Sequence, residues 1–255
     1  MLANPASILC NAVASMVDAR GRITIAALRP PAISDAVRTA LARIAIGGGA
    51  DDPALSEGWG EPGLSPAERL MGWNTLEVLA MGAGNPQRPV NAIPGEAVVH
   101  CQLRFVVGTP WQQLVDIVRA HLEAQGFQGI EVSITLAGAA TRLEPDHPWA
   151  QWAQGSIERT AGQAPDVLPN LAGSLPNDAF AELLGLPTLW VPHSYPSCAQ
   201  HAPNEHLLAP VVRDGLRVMA GLYWDLGEPA GPGSAPWQAA AATAPSSSHF
   251  APAQP

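Results

Sequence analysis

The sequence predicts an α/β protein in two parts, an α+β module followed by a partial α/β segment. Three observations carry that prediction. A stripe of helically spaced apolar residues opens the chain. Two runs of strict alternation, 97-AVVHCQLRFV-106 and 130-IEVSITL-136, then flank a second helical stripe. After Pro145, helical patterns surround a run that is apolar on both faces, 187-PTLWVP-192, the mark of a strand inside a covered sheet.

The first helix is expected from the cap and first-turn pair Asn4-Pro5, with Ile8, Leu9, Ala12, Val13 and Met16 on its apolar stripe. From Gly47 to Asn74 the sequence is rich in Gly, Pro, Asp and Ser and reads as one long irregular connection. Short strands begin at Thr75. In the 97–106 run Val99, Cys101, Leu103 and Phe105 point one way, and His100, Gln102 and Arg104 the other. Thr109-Pro110 is expected to cap a helix that carries Trp111, Leu114, Ile117, Val118 and Leu122 on one stripe, and Gly126 to stop it. The 130–136 run follows as a strand. Helix, strand, strand, helix, strand is the ferredoxin-like split βαβ order without its first strand, which would precede Met1.

Beyond Pro145 the pattern predicts a helix from Trp149 to Ala161, a Gly/Pro/Asn-rich turn at 170-NLAGSLPND-178, and a helix through Phe180 to Leu184. The 187–192 strand and a last helix from about Pro210 follow, the latter with Val212, Leu216, Met219 and Tyr223 on its apolar face. One helix–strand–helix unit does not cover both faces of such a strand, so 187–192 is expected to aggregate unless a partner covers it. Pro229 to Pro255 holds no Asp, Glu, Lys or Arg and is dominated by Ala, Pro, Ser and Gly, the composition of a disordered tail. No internal repeat is present.

Composition narrows the function classes. A hydrophobic share of 47% over 255 residues is enough for a core. With 13 basic against 22 acidic residues, a formal net charge of -9 and no Lys/Arg-rich run, nucleic acid is not expected as a partner. No apolar run approaches the roughly 20 residues of a membrane span. The start, MLANPASIL, lacks the basic region of a secretory leader, so the expected compartment is the cytoplasm. Cys10, Cys101 and Cys198 share no Cys-x-x-Cys spacing, which argues against a disulfide framework or a cysteine zinc knuckle. Any metal is left to His and carboxylates.

The densest polar cluster is 197-SCAQHAPNEHLL-208. His201 and His206 stand five apart rather than the four of a helical metal-binding pair, so local spacing leaves His201 open as a solvated loop histidine. Its position favours a site role, because it follows a buried strand and a Pro/Ser-rich loop at the C-terminal side of a sheet. Gly173-Ser174 lacks the Gly-x-Ser-x-Gly of a serine hydrolase. It reads either as a structural turn or as one presenting backbone N–H groups to an anion. Arg104, on the polar strand face with His100 and Gln102, is either an exposed strand charge or a fork able to grip a carboxylate with two hydrogen bonds.

Taken together, 59-WGEPGLSPAERL-70 with 75-TLEV-78, 91-NAIPGEAVVHCQLRFVVG-108, 172-AGSLPNDAFAELLGLPTLWVP-192 and 201-HAPNEHL-207 carry a family likeness. They resemble the second half of the dinuclear-zinc metallopeptidases that include carnosinase-type dipeptidases, aminoacylase, acetylornithine deacetylase and succinyl-diaminopimelate desuccinylase. Order and spacing agree over roughly residues 2 to 226. The resemblance implies a lid and dimerisation domain at about 1–141, a returning segment of the catalytic α/β domain at about 142–228, and the tail at 229–255. It implies that His201 is the last zinc ligand, supported by Asn204 and Glu205, and that Arg104 holds the substrate carboxylate. Asn91 would reach a site across the dimer, and Gly173 and Ser174 would contact substrate.

The chemistry implied is hydrolysis of an amide bond in a dipeptide or N-acyl amino acid, with two zinc ions per complete site, an activated water and a Glu that carries the proton. The family's His-x-Asp pair, bridging Asp, Glu-Glu pair and further acidic ligand have no counterpart in these 255 residues. A family histidine expected near Leu136 to Gly138 is replaced by apolar residues. The chain is therefore expected to be inactive alone and to form a homodimer through its lid. It would either work with a separate N-terminal half or persist as a non-catalytic dimerisation or carboxylate-binding remnant.

Overall fold

The computed structural model describes residues 2–48, 53–171, 173, 175–195 and 198–228. The predicted 229–255 tail and Ser174 lie outside the described residues. The chain divides into two units: the described residues up to Pro145 together with those of 166–179, and Asp146–Pro165 together with the described residues from Phe180 onward.

In the first unit α1 (Pro5–Met16) starts where expected. The Asn4 side chain accepts the Ala6 N–H at 2.9 Å, and Pro5 occupies the first turn, where a missing N–H costs nothing. The chain reverses at Asp18, whose carboxylate accepts the N–H groups of Arg22 (3.0 Å) and Arg20 (2.8 Å) and the Arg22 Nε (2.6 Å). The Arg22 N–H, then those of Arg20 and of the Arg22 side chain, hold its carboxyl below the usual carboxylate value. Two short helices follow, the second of them inside the stretch 47–74, where the Gly/Pro-rich composition had pointed to irregular chain. α2 (Asp35–Leu41) is capped by Ser34, and α3 (Pro66–Met71) by a reciprocal box between Ser65 and Glu68. Val37, Leu41, Ala67 and Met71 bury one face of each against the other, and Arg38 ion-pairs with Glu68 across them. The Ser-Pro-x-Glu signature of α3 is visible in the sequence.

β1 (Thr75–Gly82) and β2 (Val98–Arg104) pair antiparallel, with Thr75 opposite Arg104, Leu76 opposite Leu103, Glu77 opposite Gln102 and Val78 opposite Cys101. A bulge between Val78 and Ala80 shifts the register by one residue. A single 3-10 turn (Trp111–Gln113) leads into α4 (Leu114–Ala124), which ends at Gly126, φ +84°, in the left-handed conformation glycine adopts without cost. The main core is built from Ala12 and Met16 of α1, Ile23, Ile25 and Leu28 of the following segment, and Leu122 of α4, with Leu76 and Leu103 closing it from the sheet.

Two expectations in this unit are corrected. Thr109 does not cap α4: it is buried, and its hydroxyl accepts from Asn74 at 2.9 Å. The run 130–136 alternates as expected, with Ile130 and Val132 packed on the core, but it forms no strand because among the described residues no neighbouring strand stands beside it to complete a ladder.

In the second unit α5 (Pro148–Ala161) is capped by His147, whose Nδ1 accepts the Trp149 N–H at 3.2 Å, and ends at Gly162 with φ +80°. It packs on α6 (Ala209–Leu226), and Arg159 joins Asp225 at 2.6 Å across the pair. Between them Ala179–Leu183 makes one wide π-type turn rather than the expected α-helix. The run 187–192 is not a strand either: among the described residues it has no sheet neighbour, and Leu189 and Trp190 stay exposed. The apolar face predicted for α6 is also corrected. Gly215, beside the His193 ring, and Leu222 are the buried positions of the helix, while Val212, Leu216 and Tyr223 look outward and Met219 is half-buried. The helix carries apolar residues on two faces, and the periodicity marks the outer one. No helix among the described residues is long and apolar enough to cross a membrane.

Candidate functional site

The residues singled out from the sequence fall into both units. Arg104, Asn91 and Gly173 belong to the first, and His201, Asn204 and Glu205 to the second.

Pleating sets the surroundings of Arg104. Leu76 and Leu103 turn toward the core, so Thr75, Glu77, Gln102 and Arg104 share the opposite face of the hairpin, with His100 beyond them across the bulge. The Arg104 Nε donates to Gln102 Oε1 at 3.2 Å, which orients the guanidinium along the strand. Asn91 sits in the exposed connection between β1 and β2, and Gly173 in the exposed turn before the wide helical turn. The alternation of β2 locates Arg104 from sequence. Glu77 escapes such reasoning, although it stands directly across from Gln102; only the pairing register reveals it.

His201 is held by a loop with a specified backbone. Ala199, His201 and Asn204 all have positive φ (57°, 62° and 65°), a conformation costing about 1 kcal/mol or more for a residue with a Cβ. The His206 N–H donates to the Cys198 carbonyl at 3.0 Å and closes the loop at its base, where Cys198 is buried. The His201 N–H donates to the Glu205 carboxylate at 3.3 Å. The Asn204 carbonyl accepts from His206 Nδ1 at 2.9 Å, and the Tyr195 ring meets the His206 ring edge-on with centroids 6.0 Å apart. The His201 side chain is exposed, carried on a frame made by its neighbours. Local spacing gives no sign that Tyr195 and His206 are parts of that frame.

A structural or catalytic zinc site takes at least three protein ligands. The loop offers the imidazole of His201, while its nearest carboxylate, Glu205, is engaged by the backbone N–H. Among the described residues no three His, Cys, Asp or Glu side chains converge. The described donor set does not fit a dinuclear zinc centre by itself.

The peptidase dimerisation domain of the M20 family matches residues 1–129, half of the chain. The chain belongs to that family. Among curated protein sequences nothing matches it. Solved structures similar to this M20 chain include the M20 family metallo-carboxypeptidase Sso-CP2 from Sulfolobus solfataricus, with a TM-score of 0.70 and 19% identity over 86% of this chain and 52% of that one. The di-peptidase Dug1p from Saccharomyces cerevisiae gives a TM-score of 0.63 at 19% identity, over 87% of this chain and 48% of its own. Human carnosine dipeptidase 1 gives 0.55 at 16% identity, over 87% and 49%. At these identities the likeness shows the fold. The M20 chain spans about half the length of each of the three.

Proposed function

We propose that this chain is the lid and the returning catalytic segment of a zinc-dependent metallohydrolase that cleaves dipeptides or N-acyl amino acids at an amide bond. In this reading residues 1–141 are a ferredoxin-like dimerisation lid, residues 142–228 the returning catalytic segment, and the chain forms a homodimer through the lid. Arg104 anchors the substrate carboxylate, and Asn91, Gly173 and Ser174 complete the substrate contacts. His201 is one zinc ligand, held by Glu205 through the backbone N–H and by Asn204 through the loop. The remaining ligands and the general base come from residues beyond those described, on another part of the same polypeptide or on a separate one.

The observation that carries the reading is the reach of the structural likeness. The family match ends at residue 129, but the likeness to the metallo-carboxypeptidase covers 86% of the chain and so extends into the part that holds the His201 loop. The specified backbone of that loop is what a side chain on a rigid mount requires.

Zinc content per chain, measured on the 255-residue protein together with hydrolysis of a dipeptide panel, tests it. The expected result is well under one zinc per chain and no turnover, because a lone imidazole holds zinc weakly. Two zinc ions per chain, with turnover lost in His201→Ala, would show that the chain completes its own site and would sink the proposed division. A stable dimer that neither gains activity nor binds a carboxylate ligand would favour a dimerisation remnant.

A further inference from the structure

We propose that Glu77 and Arg104 together select substrates whose carboxylate-bearing terminal residue has a basic side chain. The inference rests on Arg104 being the carboxylate anchor and adds to it the chemical class of the residue anchored.

The register places the two charges. Thr75 stands opposite Arg104 and Glu77 opposite Gln102, so Glu77 is the diagonal neighbour of Arg104 on the same, outward face of the hairpin. The backbone positions of diagonal neighbours on one face of an antiparallel pair lie about 7–8 Å apart, within the reach of long side chains. Gln102, across from Glu77 and next to Arg104 on the same strand face, is neutral, and its amide oxygen accepts from the Arg104 Nε. The face therefore presents a cation and an anion on one diagonal, with a neutral side chain at the corner between them. No Lys or Arg other than Arg104 lies on either strand to compete for Glu77.

That spacing discriminates among ligands. The α-amino group of an amino acid is two bonds from its carboxylate carbon, too near to reach Glu77 once the carboxylate is on Arg104. A lysine ammonium stands on a four-carbon stem, and an arginine guanidinium on a comparable one, which bridge a separation of this size. An acidic side chain directed the same way finds no partner and is disfavoured by the like charge of Glu77. An aliphatic side chain of equal length gains nothing from Glu77.

The test uses the full chain and two N-acyl amino acids that differ in one charge, Nα-acetyl-lysine and Nα-acetyl-norleucine, with affinities measured by ligand-detected NMR at low ionic strength. The wild-type chain should bind the lysine derivative about fivefold more tightly, the size of an exposed ion pair. Glu77→Gln should bring the two affinities together, and Arg104→Ala should weaken both. Equal affinities in the wild type, or a lysine preference that survives Glu77→Gln, would overturn the selection while an Arg104 effect on both ligands left the anchor standing. If Arg104→Ala changes neither affinity, the anchor itself fails and the selection falls with it. Both positions are on the solvent side of the hairpin, and a circular dichroism spectrum matching wild type confirms that each variant is folded.

Discussion

Asn74 has a single side chain that ties three segments of the first unit together. It is only 2% exposed, and its amide donates to the Leu28 carbonyl at 2.8 Å and the Thr109 hydroxyl at 2.9 Å while its oxygen accepts the Val106 N–H at 2.9 Å. Every polar group it meets is inside the protein, so truncating it strands several buried donors and acceptors at once. Asn74→Ala should cost about 3 kcal/mol of unfolding free energy, measured in urea, against well under 1 kcal/mol for the exposed Asn85→Ala. Nothing in the sequence marks Asn74, because its partners lie 46, 35 and 32 positions away along the chain. The charged candidates divide in the same way. Arg104 is legible because alternation along one strand names its face. Glu77 is not, because its relation to Arg104 exists only once two strands have chosen a register.

The helical elements announce themselves where local chemistry is sufficient, and strands do not where a neighbour is required. Asn4-Pro5 and His147-Pro148 start α1 and α5, and the glycines at 126 and 162 end α4 and α5, all from residues within a turn of each boundary. The runs 130–136 and 187–192 have strand composition but no ladder among the described residues, since a strand is a property of a pair. The packing of α5 on α6 depends on a detail of similar kind: a methyl built on Gly221 would overlap the Thr160 hydroxyl of the facing helix. Gly221→Ala is expected to destabilise the second unit by about 1–3 kcal/mol, despite the higher helix propensity of alanine. Thr160→Ala added to it should recover part of that loss. A thermal melt of both variants checks the sign: a Gly221→Ala chain more stable than wild type would mean that the helices do not approach closely there.

Across the whole molecule the exposed apolar surface is extensive. The outward face of α6 leaves Leu216 at 68% and Tyr223 at 71% exposure, and Leu183, Leu184 and Trp190 are also exposed. Scattered apolar residues are ordinary on a surface, but a stripe at helical spacing on a helix already packed on its other side is a contact surface without its contact. The purified chain is therefore expected to bind a hydrophobic dye and to self-associate increasingly as concentration rises. Leu216→Lys with Tyr223→Lys should reduce both, read by dye fluorescence and sedimentation velocity, with the unfolding midpoint unchanged. Unchanged association in the double variant would move the sticky surface elsewhere.

Residue order alone determined the helix boundaries set by caps and glycines, the alternation of β2, and the family likeness carried by several short stretches in the right sequence. Those signals are local, or they are spacings along the chain. Tertiary structure alone decided which face of α6 is buried, that Thr109 turns inward to Asn74, that Glu77 joins Arg104, and that 130–136 and 187–192 remain without ladders. Each of these depends on which distant segment supplies the partner, and hydrogen bonds and packing are satisfied in space rather than along the chain.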